Sequence, residues 1–445
     1  MKKLNILYIM RLLQNFSFVR ATAENCMFRS PQGEKLHSRS KTHRVLQAAL
    51  TVIFLMILPA SLWGEEFFFV HKAGDKYRIL STVNQDVYID RQLSHTAVIL
   101  NRIAVEVTGV QGIRARHKAV FQTSERSTGA LAGQGRSFQW SQEYESEFDR
   151  DKLGYLSIDT KYYMPVVRNV PVFPGRNLRP GERWSADGHE MHDFRKSFGI
   201  ERPYRIPFTA NYVFLGDREW KGKTYPAFSV KYRIFTEPPA VSGRLWPRRI
   251  TGASDQIVYW DSTLGQPAAY EEDFRMVLDL SNGVTVEYRG KAEAEVIESE
   301  EMDKDKIVGE IAEELNRLGI KDAAVRVVEE GITISLENIQ FVADTANMLP
   351  GEREKLAKLS EILLRYPDRD ILVGGHSALA GSEAGRMPLS IERATVVADY
   401  LIANNIRPQS HIVVRGYGSD RPIADNNTEA GRQKNRRVEI TLLEN

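Results

Sequence analysis

Metal, thiol and phosphate chemistry each require a particular set of side chains, and this chain of 445 residues offers few of them. Its densest group of possible metal ligands is Asp187-Gly188-His189-Glu190-Met191-His192-Asp193. Two histidines three residues apart with flanking acids can face one cation from a helix turn. However, the stretch follows a turn-rich segment and no third partner is identifiable. His-Glu-Met-His also has the wrong spacing for the zinc-protease motif. A polar loop without metal is the expectation. The single cysteine, Cys26, excludes an intrachain disulfide and a multi-cysteine metal site. No glycine-rich phosphate loop in a strand-to-helix setting and no nucleophile elbow occurs. The chain therefore reads as a non-enzymatic protein without a cofactor.

The elements around these residues suggest an exported, multidomain protein. Its length allows two or three domains. The formal net charge of +2 and a charged fraction of 27% give no reason to expect a nucleic-acid partner. Arg432, Lys434, Arg436 and Arg437 make one basic stretch, expected to be a solvated surface. Residues 45–63 form the one long apolar run, preceded by Lys41, His43 and Arg44 and followed by small residues up to Gly64. That order reads as a signal peptide within a leader spanning 1–64. Pro59, Gln47 and Thr51 weigh against the alternative, a permanent membrane anchor. Cys26 precedes the apolar run, whereas a lipidated cysteine must follow it.

Residues 65–299 read as strands, for example 76–90, 204–214, 228–236, 256–260 and 283–289, separated by Gly, Pro and Asp turns. A β-rich region of sandwich or barrel-like type is expected, possibly as two domains divided near the proline-rich segment 165–181. Charges such as Lys231, Arg233, Asp273 and Arg275 interrupt its strands and argue against a membrane barrel.

From residue 300 the periodicity changes. Ile307, Ile311, Leu315 and Leu318 recur at helical spacing, followed by a hairpin, Ala324–Val328 and Ile332–Leu336. Helices at 351–365 and 389–404 then alternate with strands near 370–374, 411–415 and 436–443. The outcome is an α/β sandwich spanning 300–445.

Three segments of this last domain carry a further signal: Gly375-His376-Ser377-Ala378-Leu379-Ala380-Gly381, Leu389-Ser390-Ile391-Glu392-Arg393-Ala394, and Gly431-Arg432 with Asn435-Arg436-Arg437-Val438-Glu439. With Ile339-Gln340-Phe341, Gly416-Tyr417-Gly418 and Asn426-Asn427-Thr428, they resemble the OmpA-like domain, a periplasmic module that ties envelope proteins to peptidoglycan. The resemblance covers roughly 303–445 and implies a periplasmic protein, outer-membrane-associated, with peptidoglycan and envelope proteins as partners.

In that family an aspartate in the Gly-His-Thr-Asp loop accepts from the ammonium of diaminopimelate, and an arginine fifteen residues on binds the neighbouring carboxylate. By resemblance Arg393 keeps the arginine role. Ala378 stands at the aspartate position, Ser377 replaces the threonine, and Arg386 replaces a family asparagine in the loop before Leu-Ser. Losing a charge-assisted hydrogen bond costs on the order of 1.5–3 kcal/mol, one to two decades of affinity. Three readings stay open. Glu383 or Asp344 could substitute for the acid, or the stem peptide could carry another diamino acid. The domain could instead be a scaffold that has lost its ligand. Finally, the β-rich region could bind a solute.

Overall fold

The computed structural model describes residues 64–444 apart from 130–137, 241–243, 299–301, 321–322, 329, 337–345, 347, 349 and 380–382. The expected signal peptide, the Ile339-Gln340-Phe341 segment and Asp344 lie outside the described residues.

Before residue 299 the chain forms β1 (Lys76–Ile89), β2 (Gln92–Gln111), β3 (Arg114–Gly129), β4 (Phe138–Asp151), β5 (Leu156–Ile158), β6 (Val167–Arg168), β7 (Arg183–His192), a four-residue helix α1 (Arg195–Phe198), β8 (Tyr204–Trp220), β9 (Lys223–Thr236), β10 (Pro247–Asp261), β11 (Gln266–Leu280) and β12 (Thr285–Glu298). Each strand pairs antiparallel with its spatial neighbour, in the order β5-β4-β3-β2-β1-β12-β11-β10-β9-β8-β7-β6. Segment 165–181 contains β6 and leads into β7, and strands before and after it join the same ladder. Two-residue reversals with left-handed backbone, such as Asp90-Arg91 (φ 49° and 70°), connect neighbours. That turn geometry matches the twist of paired strands.

Strict alternation sets the polarity of the sheet. Val83, Val87, Ile99, Val230, Tyr232, Ile234 and Tyr288 share one buried core. The intervening Lys231, Arg233, Arg289 and Lys291 are exposed. A lipid-facing barrel has the opposite polarity, with its apolar band outward.

The stretch 187–193 departs from the loop expectation. Asp187 to His192 belong to β7, where residues of opposite parity face opposite sides. His189 and His192 therefore diverge, and among the described residues no group of three or more His, Cys, Asp or Glu could hold a metal. His192 instead turns inward and lies 2.7 Å from Glu190, which also accepts from the Tyr232 hydroxyl at 2.9 Å. Turn residues just upstream and a polar inner face, with Glu190 and His192 buried, hide this strand from the apolar alternation that marks the others.

The C-terminal part contains α2 (Lys304–Arg317), β13 (Ala323–Val328), β14 (Gly331–Leu336), α3 (Pro350–Leu363), β15 (Ile371–Gly375), α4 (Glu383–Ala403), β16 (Ile412–Gly416), α5 (Glu429–Asn435) and β17 (Val438–Leu443). Its sheet runs β13-β14-β17-β15-β16, parallel only between β15 and β16. Ile371, Val373, Ile412, Val414, Ile440 and Leu442 pack with the buried helix faces, including Leu359, Val397 and Leu401. No helix among the described residues is long and apolar enough to cross a membrane.

The two parts are joined by more than the chain. β16 pairs in parallel with the start of β4, Val413 opposite Phe138 and Val414 opposite Gln139. On the sheet face away from the helices, Leu372, Val413 and Leu443 pack with Trp140. Arg102 of β2 reaches Asp370 at 2.5 Å and the Ser410 carbonyl at 3.2 Å, while Arg126 donates to Gln409 at 2.7 Å.

Candidate functional site

The segments singled out in the sequence converge at the C-terminal ends of β15 and β16. Gly375 closes β15 against α4, because a Cβ there would stand 1.9 Å from the Ser390 carbonyl oxygen. Only glycine tolerates so close a backbone approach. The next residues are fixed by main-chain bonds, His376 N–H to the Arg437 carbonyl (3.0 Å) and Ser377 N–H to the Gly418 carbonyl (2.7 Å). Ser390 completes the cradle. Its hydroxyl donates to the Met387 carbonyl at 2.7 Å and accepts from Gly418 N–H at 3.0 Å. The Leu-Ser pair is thus a brace between helix and turn, and it delivers the following turn of α4, with Arg393, to this corner.

Arg393 is buried, at 5% exposure. Glu392, its neighbour in the helix, is exposed. Ser377 is also buried, and its hydroxyl has no hydrogen-bond partner among the described residues. Ala378 is 4% exposed and brings no acid. Leu379 N–H donates to the Asn426 side chain at 3.0 Å, tying the loop to the Asn426-Asn427-Thr428 segment.

Arg386 lies within α4 rather than in a loop, because the helix begins at Glu383, six residues before the expected Leu389. Pro388 lies inside the helix, past its first turn, and lacks the N–H that would donate to the Ala384 carbonyl. Arg386 is partly buried. Glu383 is the first residue of α4, and its side chain lies outside the described set, as does Asp344. Ser377 and Ala378 follow Gly375, which packs on Ser390 three residues before Arg393, and all three are buried, while neither proposed substitute acid is located.

Beneath the corner lies a charge hub that the sequence did not reveal. Glu439 accepts from Arg437 at 2.8 Å and from Arg326 at 2.6 Å, and His376 Nε2 is 3.4 Å away. Burial alone would raise the Glu439 carboxyl, but His376, Arg437 and Arg326 together hold it well below the usual range. Burial lowers His376, whose ring stacks on Tyr417 with centroids 4.8 Å apart. Arg437 is not the solvated cation expected from the basic stretch. It is 2% exposed and also donates to the Arg421 carbonyl at 3.0 Å. The family motif supplied no periodicity that would separate this inward arginine from its exposed neighbours.

A last anchor is Asn435, fully buried. Its side chain accepts from Ile423 and Ala424 N–H at 2.8 and 3.0 Å and donates to the Ala424 carbonyl and Asn426 side chain at 2.8 and 2.9 Å. Both the Asn426 segment and the loop after β15 are thus held from below.

The OmpA family model matches residues 340–436, the span that builds this corner. The outer-membrane lipoprotein YfiB of Pseudomonas aeruginosa is 38% identical over 124 residues, which cover 28% of this chain and 73% of that protein. The chain belongs to the OmpA family. Membership is carried by the C-terminal domain. The peptidoglycan-binding protein ArfA of Mycobacterium tuberculosis H37Rv is 42% identical over 104 residues, 23% of this chain and 32% of that relative. The chain thus spans about a third of that protein's length. An outer-membrane protein from Borrelia burgdorferi B31 of known structure is 30% identical, covers 27% of this chain and 96% of its own, and gives a TM-score of 0.23.

Proposed function

We propose that this is a non-enzymatic protein of the bacterial envelope whose OmpA-like domain associates with peptidoglycan through an incomplete site. The reading rests on one observation above others. Arg393 is buried three residues after Ser390, which is braced against Gly375 and Gly418, while the position that would supply the partner acid is a buried alanine. A guanidinium in a fixed, shielded place is suited to a planar carboxylate. With no acid at Ala378, the ammonium half of a zwitterionic diamino acid has no counter-charge from that loop. Association is then weaker than for a complete site, or favours a stem peptide whose diamino acid is not clamped at both ends. The match to a relative named as peptidoglycan-binding supports the ligand class.

Export into the periplasm, with association at the outer membrane, is part of this reading, and the signal-like segment before Gly64 and the relatives' envelope names support it. The test is cosedimentation of the full chain with sacculi from its own host, beside Arg393→Ala. Retention that Arg393→Ala abolishes supports the reading. A wild-type chain that stays in the supernatant points instead to a scaffold that has lost the ligand.

A further inference from the structure

The β-rich part encloses a cavity of about 230 Å³ between its sheet and the segment Met164–Pro171. Its walls are largely aliphatic, with Ile79, Ile103, Val258, Ala294 and Val296 contributed by β1, β2, β10 and β12. Uncharged polar side chains, among them Asn101, Thr123, Gln142 and Gln256, interrupt them. Thr123 donates to Asn101 at 3.0 Å, so that pair is internally matched. Glu295 also borders the cavity, but alternation turns its side chain to the outer face, where Lys221 binds it at 2.8 Å.

Arg150 is the exception. Its guanidinium borders the cavity, lying 4.7 Å from the Phe69 ring centroid and 5.9 Å from that of Phe148. Among the described residues it forms no ion pair within 4.0 Å, and its Nε has no hydrogen-bond partner. The neighbours that sense its charge do not neutralise it. His71 is pushed down to about 4 by burial and by Arg150, so its ring is uncharged at neutral pH. Burial raises Tyr77, which keeps its proton. Asp151 acts on Arg150 through its charge without an ion pair within 4.0 Å, and its Oδ1 accepts from the N–H groups of Leu153, Gly154 and Tyr155.

A partly buried cation without an ion-pair partner is costly, and stacking on aromatic rings offsets only part of that. A purely structural arginine would be expected to find a carboxylate. A largely apolar cavity bordered by a cation that makes no ion pair among the described residues is suited to an apolar ligand with one negative end. We propose that the β-rich part binds an amphiphilic monoanion, a medium-length acyl chain ending in a carboxylate, with its head at Arg150 and its tail between β1, β2, β10 and β12. The volume equals about seven or eight liquid waters at ~30 Å³ each. It suits one short chain and not a two-chain lipid.

The experiment is calorimetric titration of the delipidated full chain at pH 7 with decanoate and, separately, with 1-decanol. Wild type should bind decanoate at least about ten-fold more tightly than decanol, since only the acid offers Arg150 a charge-assisted bond. Arg150→Gln should weaken decanoate about ten- to hundred-fold and leave decanol unchanged, and Ala294→Phe, which fills the cavity, should remove both. Should Arg150→Gln fail to fold by circular dichroism, the acid-over-alcohol preference of the wild type decides alone. No decanoate binding, equal affinity for acid and alcohol, or a folded Arg150→Gln that binds decanoate as well as wild type would each overturn the proposal.

Discussion

Removing the Arg102 side chain tests whether the two parts of the molecule stand as one unit. Arg102 Nε lies 2.5 Å from Asp370, and the side chains are 14% and 7% exposed, so solvent screens the pair little. Arg102→Ala deletes one charge-assisted hydrogen bond, worth about 1.5–3 kcal/mol, and the 3.2 Å bond to Ser410, worth about 0.5–1.5 kcal/mol. Asp370 keeps His411 at 2.7 Å, which spares it the full penalty of an isolated buried charge. A loss of about 2–4 kcal/mol follows. Burial would raise the Asp370 carboxyl, but Arg102 and His411 hold it below its ordinary value. A depressed acid contributes stability above its unfolded pKa of about 3.9 and loses it as pH falls through the folded value. The gap between wild type and variant should therefore be full at pH 7 and narrow below about pH 4. Urea unfolding followed by tryptophan fluorescence reads it, with Trp140 reporting from the contact itself. A difference under about 0.5 kcal/mol at pH 7, or an undiminished one at pH 3, would refute the reasoning.

Three other substitutions probe the account. Gly375→Ala places a methyl against the Ser390 carbonyl and should destabilise the C-terminal domain by about 3 kcal/mol or more, seen as a lower thermal midpoint. Asn435→Ala orphans the buried N–H groups of Ile423 and Ala424 and should cost about 2–4 kcal/mol in denaturant titrations, with faster amide exchange at both. Glu272 is fully buried and approached by Ser254 and Gln256, with no cation paired to it among the described residues, and burial raises its carboxyl well above the ordinary value. An acid with a raised folded pKa binds its proton more tightly when folded, so stability falls as pH rises past the unfolded value near 4.5. Glu272→Gln should accordingly stabilise the protein at pH 7 by about 1 kcal/mol or more and make little difference at pH 4.

Local patterns in the sequence were legible where one physical signal dominated. The hairpin at Ala324–Leu336 and the helix carrying Ile311 and Leu315 lie within one or two residues of expectation, because apolar period and turn glycine agree there. The approach of Gly375 to Ser390 was legible from motif order, since a Cβ at Gly375 would meet the Ser390 carbonyl. Boundaries failed where signals conflicted. Pro388 masked the true start of α4, and turn residues masked β7. Long-range pairings left no local trace. Nothing in the types or spacing of Arg102 and Asp370, or of Val413 and Phe138, indicates that they meet. Arg150 left a faint signal, since it shares strand parity with the buried Phe148 and therefore faces inward.

The central claim is that the site kept its carboxylate partner and lost its ammonium partner. Its most direct test is an NMR titration of the full chain and of Ala378→Asp with a soluble stem peptide containing meso-diaminopimelate. The account predicts that Ala378→Asp binds about ten-fold or more tightly than wild type, and that adding Arg393→Ala removes the gain. Equal affinity of wild type and Ala378→Asp, or a gain that survives Arg393→Ala, would contradict it.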